Sequence, residues 1–287
     1  MSRMSRRRFA FGGLCGGLSA IGVAAASGYH ARASAPYEPV LERVSLALPP
    51  AHANLAGLRI GFVADTHIGP AISPDDVVRA LDLLTPEQPD LILLGGDYIS
   101  GSPRYAPVAA EVLGAFARTA PLGAIAILGN HDCGEIGRAE RVTEALQAEG
   151  IQVLRNEPAL VTTEKGPLWI AGIDDEVMGR ANPNAAFDSV PSGAAVLALW
   201  HEPDYAAITA DLGAFAQLSG HSHGGQVRLP GIGPVFLPPG GSRYVMGMNH
   251  ARGMPVYTSR GIGVFFPPIR FNCPPEVTLV TLAAESV

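Results

Sequence analysis

The chain has 287 residues, of which 47% are hydrophobic and 16% charged, with 34 glycines and 25 prolines. This profile is typical of one large globular domain with many turns, and the length suffices to bury a full two-layer core. The net charge is −6; without the first 35 residues, 15 basic side chains remain against 26 acidic ones, which gives −11. A surface this negative disfavours unaided binding to nucleic acid or anionic headgroups, so we expect no nucleic-acid partner.

Residues 1–35 are predicted to be an export signal. Residues 5–9, Ser-Arg-Arg-Arg-Phe, resemble the twin-arginine motif and lead into an apolar run over 9–26. The run contains five glycines, which makes it weak as a membrane-spanning helix, although an uncleaved membrane anchor is the alternative interpretation. We therefore expect the twin-arginine export machinery as a partner, and a final location in the periplasm or cell envelope.

The remaining chain is predicted to contain a lead-in strand or linker over 36–56 and a single domain over 57–287. Short apolar runs alternate with polar turns and helices, which predicts an α/β fold. The predicted strands cover 60–64, 91–94, 124–128, 169–173, 196–199 and 215–218, and the predicted helices cover 73–84, 107–118 and 136–149. Residues 227–275, rich in proline and glycine, predict irregular loops and short hairpins before a final strand over 276–282.

Polar side chains directly follow these strands. Five of the eight histidines in the chain lie in such turns. Since ligands in α/β folds gather at the C-terminal ends of strands, we expect these side chains to form one site. The candidate metal ligands are Asp65, His67, Asp97, Asn130, His201, His221 and His223. Each alone has an ordinary structural explanation, such as capping a turn, but the joint pattern indicates a metal site.

Five motifs resemble, in order and approximate spacing, those of the calcineurin-like metallophosphoesterase superfamily. They are Asp65-x-His67, Gly96-Asp97, Gly129-Asn130-His131-Asp132, His201 and Gly220-His221-x-His223. With its leader, the chain is most similar to a bacterial branch of twin-arginine-exported phosphodiesterases. The resemblance spans about residues 57–283 and implies two mixed β-sheets packed as a sandwich and flanked by helices, a four-layer α/β/β/α arrangement.

The resemblance also implies a role for each metal ligand. Asp65, His67 and His223 would hold one ion, Asn130, His201 and His221 would hold a second, and Asp97 would bridge the two. A shared carboxylate reduces the repulsion between two cations about 3.5–4 Å apart. Imidazole, carboxylate and amide ligands without thiolate favour Mn, Fe or Zn. Ser100 departs from the family pattern, since many members have aspartate there, and we expect altered support of a ligand rather than loss of the site.

The remaining candidate site residues concern catalysis and substrate binding. By resemblance, His131 would stabilise the phosphoryl oxygens or protonate the leaving alkoxide. Asp132 would orient that imidazole or, alternatively, cap a helix. Arg260 and Arg243 are candidates to bind a phosphate, because a guanidinium matches phosphate geometry, with an ordinary surface position as the alternative. His250, in the loop region, is a further candidate for substrate contact.

The resulting hypothesis is a binuclear-metal phosphodiesterase in which a hydroxide that bridges the metals attacks the phosphoester. A phosphomonoesterase of the same fold and a non-catalytic metal-binding protein are the alternatives. The apolar stretch 264–269 is either a lid on the core or an exposed patch suited to an acyl chain or a membrane surface. In the second case the substrate is amphiphilic or lipid-linked, with peripheral membrane association. Spacing alone does not decide whether Cys133 and Cys273 form a disulfide.

Overall fold

The computed structural model of the protein describes residues 37–134 and 136–284, so the predicted export signal lies outside the described residues. Strands and helices alternate along most of this part of the chain. The strands are β1 (Val40–Leu48), β2 (Arg59–Val63), β3 (Leu91–Leu94), β4 (Ala124–Ala126), β5 (Gln152–Val153), β6 (Glu157–Thr163), β7 (Gly166–Ile173), β8 (Val196–Trp200), β9 (Ala216–Ser219), β10 (Arg228–Leu229), β11 (Gly233–Pro234), β12 (Gly247–Ala251), β13 (Met254–Thr258) and β14 (Glu276–Ala284). The α-helices are α1 (Pro74–Leu84), α2 (Ala106–Ala117), α3 (Asn130–Cys133), α4 (Arg138–Ala148) and α5 (Ala206–Asp211).

The first sheet has six strands in the order β1-β14-β2-β3-β4-β5. The strands β2 to β5 are mutually parallel, and β14 runs antiparallel to β2. The segment predicted as a lead-in strand or linker forms the edge of this sheet. There β1 pairs with β14 over its whole length, from Val40 opposite Glu276 to Leu48 opposite Ala284.

The second sheet also has six strands, in the order β12-β13-β9-β8-β7-β6. The strands β13, β9, β8 and β7 are mutually parallel, while β12 and β6 form antiparallel edges. Sequence reasoning predicted only hairpins and loops over 227–275, but β13 is a full member of this sheet. Its five residues are too few, and its surroundings too rich in proline and glycine, for a strand signal to stand out.

The two sheets pack face to face and enclose an apolar core. Phe62 and Leu93 reach it from the first sheet, and Leu197 and Leu218 from the second. Side chains of α1, α2 and α4 cover the outer face of the first sheet, while Trp200 and residues of α5 belong to a third apolar cluster on the outer face of the second. The predicted four-layer α/β/β/α arrangement is confirmed.

The three long helices lie close to their predicted bounds. The helix α1 begins with a capping box, in which Ser73 Oγ accepts the N–H of Asp76 and the Asp76 carboxylate accepts the N–H of Ser73. Its buried face consists of Val77, Ala80, Leu81 and Leu84. None of the helices in the described ranges has the length and hydropathy of a membrane-spanning segment.

Candidate metal centre

Five parallel strands from the two sheets end at one place, and each delivers polar side chains to it. Asp65 and His67 follow β2, Asp97 follows β3, Asn130 follows β4, His201 follows β8, and His221 and His223 follow β9. All of them except Asn130, which is half-buried, have almost no solvent-exposed surface. The sandwich therefore brings together residues that are up to 158 positions apart, from Asp65 to His223.

The backbone at this place is unusual. Asp65, His67, Asp97, His221 and His223 all have left-handed φ angles between 48° and 69°. A left-handed conformation costs a residue with a Cβ about 1–3 kcal/mol, and such strain is concentrated at functional sites. Here it lets each chain segment turn sharply at the end of its strand, so that the side chains converge.

Two glycines make the convergence sterically possible. A Cβ at Gly220 would overlap the Asp65 carboxylate, and a Cβ at Gly129 would overlap the Asp97 carboxylate and lie 2.7 Å from His201 Nε2. Any other residue at either position would push a candidate ligand away. The glycines before the Asn-His and His-x-His motifs thus have a direct structural purpose.

Asp65, His67 and His223 form the first ligand group. Their ligand atoms lie within 4.8 Å of one another. His67 Nδ1 is 2.8 Å from Ser100 Oγ, and its Nε2 is 3.0 Å from His223 Nε2. The Asp65 carboxylate, 3.5 Å from His223 Nε2, also accepts the backbone N–H of His221. Ser100 thus orients the His67 ring, the supporting role expected for this position.

Asn130, His201 and His221 are the predicted second group, and the rings of His201 and His221 lie 5.0 Å apart between centroids. The Nδ1 atom of His201 is held 2.7 Å from the Gly95 carbonyl, so this nitrogen carries the proton and donates it. The Nε2 atom of His221 is likewise 2.8 Å from the Pro239 carbonyl, which leaves its Nδ1 as a lone pair 3.0 Å from Asn130 Oδ1. In their neutral forms both rings are therefore fixed in the tautomer that presents a free nitrogen to the centre.

The carboxylate of Asp97 lies between the two groups. Its Oδ2 is 3.6 Å from His67 Nε2 and 3.3 Å from His201 Nε2, while its Oδ1 accepts the backbone N–H of His131 at 2.8 Å. Asp65 also clusters with both His67 and His201, but its Oδ1 lies 3.9 Å from His201 Nε2, farther than the 3.3 Å of Asp97 Oδ2. This is the position that a bridging ligand requires.

Burial controls protonation in the centre. It lowers the pKa of His67 to about 3 and that of His221 to about 4, and it holds the pKa of His223 well below its usual value. These rings are neutral near pH 7, which is the form that binds metals. Burial also raises the pKa of Asp65 to about 7.

Asp97 and His201 behave differently because they face each other. Burial raises the pKa of Asp97, but the charges of the surrounding histidines, His201 first, together lower it more, so the carboxyl pKa lies well below its usual range. Burial lowers the pKa of His201, but the acidic groups around it, Asp97 first and then Asp65 and Glu202, together raise it more, so the imidazole pKa lies well above its usual range. In the described part of the chain the buried Nε2 of His201 has no hydrogen-bond partner. A cation in the centre would satisfy this atom and replace the proton of the pair.

The donor set therefore fits metal ions. Imidazoles, carboxylates and one amide oxygen converge at Asp97, without a thiolate among them. Such donors suit Mn, Fe or Zn.

His131 is half-buried beside the centre, where its ring makes an edge-to-face contact with His67 at 4.8 Å between centroids. It also lines the cavity above the ligands. A ring in this position can reach a substrate phosphoryl group bound there.

The position of Asp132 does not fit the first of its two predicted roles, which was to orient the His131 imidazole. Its carboxylate accepts the backbone N–H groups of Asp97, Tyr98 and Gly129 at 2.7–3.1 Å, and Gly129 is the N-cap residue of α3. It therefore does not orient the His131 ring. It instead clamps the turn that carries Asp97 to the turn that carries Asn130, because one carboxylate satisfies amides from both.

Two of the three predicted substrate contacts lie in other environments. Arg260 forms ion pairs with Glu42 at 2.5 Å and Glu276 at 2.6 Å, so its guanidinium is committed to carboxylates and the predicted phosphate contact is not supported. His250 is exposed on β12, where it pairs with Pro255 of β13. Pro255 lies three residues before Thr258, the end of β13 nearest the centre. At about 3.3 Å per residue, His250 is therefore about 10 Å from that end of the strand. Arg243 is exposed, and a phosphate contact by its side chain stays a prediction.

Sequence reasoning missed Arg270, which is fully buried behind His223. Its guanidinium donates to the carbonyls of Arg260, Gly261, Gly263 and Cys273, and one terminal nitrogen lies 3.4 Å from His223 Nδ1. Burial lowers the pKa of this guanidinium. The only available signal was a single arginine within an apolar, proline-rich stretch, which sequence alone does not distinguish from a surface position.

Two adjoining cavities open at the centre. A cavity of about 150 Å³ lies over the ligands and includes Asp97, Asn130, His131 and His223 in its lining. A larger one of about 590 Å³, here called the apolar groove, is lined by Tyr37, Pro70, Ala71, Ser100, Gly101, His131, Val264, Phe265, Phe266 and Pro268. His131 and Phe265 belong to both linings, so the two cavities meet at these side chains.

The stretch 264–269 is partly core and partly surface. Val264 is buried, whereas the Phe266 side chain is 88% exposed. Phe265 lies between them, with its ring 5.2 Å from the His223 ring. The stretch therefore contributes to both the core and the exposed surface, and its exposed part lies beside the metal centre. Cys133 and Cys273 are both buried free thiols.

Comparisons with known proteins agree with this geometry. The sequence profile of the calcineurin-like phosphoesterase family matches residues 58–225. The metallophosphoesterase YkuE of Bacillus subtilis is 33% identical over 290 residues, covering all of both chains. Phosphodiesterase YaeI of Escherichia coli is 35% identical over 234 residues, covering 80% of this chain and 83% of its own. The UDP-2,3-diacylglucosamine pyrophosphatase LpxG of Chlamydia trachomatis is 27% identical, covering 85% and 89%.

Proposed function

Because the chain belongs to the calcineurin-like phosphoesterase family, we propose that it is a two-metal phosphodiesterase that acts on an amphiphilic phosphoester at the cell envelope. The family and its named relatives make the protein a metal-dependent phosphoester hydrolase. The preference for diesters, the amphiphilic substrate, the pair of ions and the location are the parts that we propose.

The proposed metal pair is held by the two ligand groups that share Asp97. When bound, Mn, Fe or Zn ions would neutralise phosphate charge and activate a water molecule. The chain itself fixes the direction of every donor atom. Ser100 orients His67, the Gly95 carbonyl orients His201, and the Pro239 carbonyl orients His221.

His131 is the proposed proton donor and oxyanion stabiliser. Its backbone N–H donates to the carboxylate of Asp97, the proposed bridging ligand, which fixes the residue beside the metal ligands. Its ring lines the cavity over the ligands. An imidazole can donate a hydrogen bond to a phosphoryl oxygen and deliver a proton to the alkoxide that leaves. His67, in edge contact with this ring, limits its rotation.

The charge of the site supports a diester rather than a monoester. No lysine or arginine lines either cavity among the described residues. A monoester carries up to two negative charges near neutral pH, and a diester carries one, so a diester needs fewer cations beyond the metals. The relative YaeI is named a phosphodiesterase, which favours the same choice. Monoester hydrolysis remains the second candidate.

The observation that carries the amphiphilic substrate is the apolar groove, which meets the catalytic cavity at His131 and Phe265. A phosphoester held over the ligands would direct one of its substituents into a 590 Å³ space lined by Tyr37, Ala71, Val264 and Phe266. Such a space binds an apolar group by removing it from water. The name of LpxG states a diacylated substrate, and that relative covers most of this chain.

The test compares a soluble aryl diester, an aryl monoester and a short-chain phospholipid diester kept in monomeric form, so that surface binding does not contribute. We expect both diesters to be cleaved faster than the monoester. Phe266→Ser should raise KM for the phospholipid several-fold, because it removes an apolar wall, and leave the aryl diester unchanged. Leu160→Ser, at an exposed position of β6, is the matched control. Equal losses of activity on both diesters in Phe266→Ser would contradict the proposal that the groove binds the apolar part of the substrate. A preference of the wild type for the monoester would contradict the proposal that the protein is a diesterase.

Export by the twin-arginine pathway is a separate part of the proposal. It rests on residues 5–9, Ser-Arg-Arg-Arg-Phe, and on the apolar run that follows. Replacing Arg6 and Arg7 by lysine keeps the charge and changes the donor geometry. The protein should then stay in the cytoplasm, folded and metal-loaded. Normal export of this variant would contradict the proposal.

A further inference from the structure

Large apolar side chains are exposed around the mouth of the site. Ile232, Val235 and Phe236 lie on the short hairpin of β10 and β11 or directly after it, and they are 76%, 61% and 57% exposed. Phe266, 88% exposed, lies on the neighbouring loop. We call these four residues the apolar rim. Exposed apolar side chains are ordinary when scattered, but a cluster beside a binding site marks an interaction surface.

The rim is a fixed structure. The buried side chain of Gln226, at the base of the hairpin, donates from Nε2 to the carbonyls of Phe265 and Pro267 and accepts the N–H of Phe265 at Oε1. The rings of Phe236 and Phe265 also contact each other, with 5.9 Å between centroids. The hairpin and the loop are therefore held together, and their exposed side chains are presented as one surface.

The composition of this surface excludes an electrostatic partner. Residues 229–242 contain no charged side chain, and neither do residues 261–269. The chain without its first 35 residues is strongly negative, so attraction to anionic headgroups is not available. A partner must therefore be recognised by apolar contact.

The rim is continuous with the two cavities that the substrate would occupy. Phe236 lines the cavity over the ligands, and Phe266 lines the apolar groove. A surface that contacts the rim therefore also lies at the mouth of the groove.

We infer that the apolar rim inserts into the surface of a lipid bilayer, so that the mouth of the catalytic site faces the membrane. The inference rests on the proposed function, because it explains how an amphiphilic phosphoester reaches the groove without leaving the bilayer. A stable protein interface buries about 800 Å² on each partner. A few side chains at loop tips are small for that purpose, but they suffice for insertion into the headgroup region.

The first experiment uses the full chain and vesicles of phosphatidylcholine that carries brominated acyl chains, which quench nearby tryptophan. Ile232→Trp places a reporter at the tip of the hairpin, and Leu160→Trp places one at an exposed position of β6. We expect quenching of the first reporter beyond the wild-type level, insensitive to salt, and none of the second. Equal quenching of the two reporters, or quenching of neither, would overturn the inference.

The second experiment separates the rim from catalysis. Ile232→Asp with Val235→Asp changes two rim residues that line neither cavity, with Leu160→Asp as the control. The double variant should hydrolyse a soluble aryl diester like wild type and lose roughly tenfold or more on a diester presented in vesicles. Unchanged turnover on vesicles would overturn the inference. If wild type cleaved no diester while the reporter in Ile232→Trp was still quenched, the proposed function would fail and the membrane contact would stand.

Discussion

The metal centre and the apolar groove meet at His131 and Phe265, yet they are built in opposite ways. The centre takes its side chains from the ends of five strands, almost every one buried and each held by backbone hydrogen bonds or glycine contacts. The groove takes most of its lining from loops and includes the 88% exposed Phe266. Two adjacent cavities thus have very different degrees of structural support.

The difference teaches where chemistry and selectivity reside in this protein. Strand ends in a packed sandwich cannot move independently, so they keep metal ligands at fixed separations. Loops change more easily without unfolding the core, so they suit the recognition of one substrate among many. Changes in the centre should therefore alter metal content and all activities together, whereas changes in the groove should alter substrate preference alone.

The largest effect is expected at the bridge. Asp97→Asn removes the one charge shared by both ligand groups, so bound metal should fall below two ions per chain and activity on every substrate should drop about 100-fold or more. Metal analysis of the purified variant and its turnover of an aryl diester measure this. Asp132→Asn is the comparison: it keeps all the ligands and should lose less activity, with a lower Tm because amides of two turns lose their acceptor. Two retained metals and normal turnover in Asp97→Asn would exclude the bridging role.

The next effect concerns Arg270. Arg270→Met leaves four backbone carbonyls without their donor, at about 1–3 kcal/mol for each buried group. It also frees the His223 ring, so metal affinity should fall about 10–100-fold. Arg270→Lys keeps the positive charge but lacks the planar guanidinium with its five N–H donors, so it should recover only part of the lost metal affinity and stability.

Calorimetric titration of the metal-free variants gives affinity, and thermal unfolding gives stability. A variant with lower Tm and unchanged metal affinity would show that Arg270 supports the loops alone, without any effect on His223.

A smaller effect links pH to the centre. Burial raises the pKa of Asp65 to about 7, above its unfolded value of about 3.9. In metal-free protein the neutral carboxyl therefore stabilises the fold fully below about pH 4, and this contribution is lost as pH rises through about 7. Metal binding needs the ionised form and also displaces the proton of His201. Affinity should consequently rise with pH, up to about tenfold per unit for each proton released.

The measurement is the rise in Tm on adding Mn²⁺ at pH 6 and at pH 8. We expect the larger rise at pH 8. Metal-free Asp65→Asn should lose the part of the pH dependence of Tm that Asp65 causes. A larger rise at pH 6 would show that Asp65 and His201 are not protonated in the metal-free centre.

The smallest effect is expected in the groove. Ala71→Trp fills part of the 590 Å³ space without touching a metal ligand. KM for a long-chain diester should increase a few-fold, since the substrate can no longer bury all of its apolar surface, while metal content and turnover of an aryl diester stay the same. Loss of metal in this variant would show that the apolar groove and the metal centre are not structurally independent.

The sequence by itself determined the fold class, the three long helices and the set of residues at the strand ends. Apolar runs followed by polar turns are visible without a structure, because a strand covered on both faces must be apolar throughout and its end must not be. The Gly-Asn-His and Gly-His-x-His motifs also include their glycines, although the close contacts of Gly129 with Asp97 and of Gly220 with Asp65 are long-range. Altered support of the site at Ser100 was expected from one departure in an otherwise matching pattern, and the structure shows Ser100 Oγ 2.8 Å from His67 Nδ1.

Only the tertiary structure decided which residues that are distant in sequence contact each other. Arg270 and Arg260 are both arginines near the same proline-rich loop, yet the fold buries the first against carbonyls and His223 and pairs the second with Glu42 and Glu276. Asp132 clamps the turn of Asp97 because β3 and β4 are neighbours in a sheet, and Phe265 meets His223 in a loop whose backbone is bound by Gln226. Partners separated by tens to hundreds of residues are fixed by packing, which no local pattern encodes.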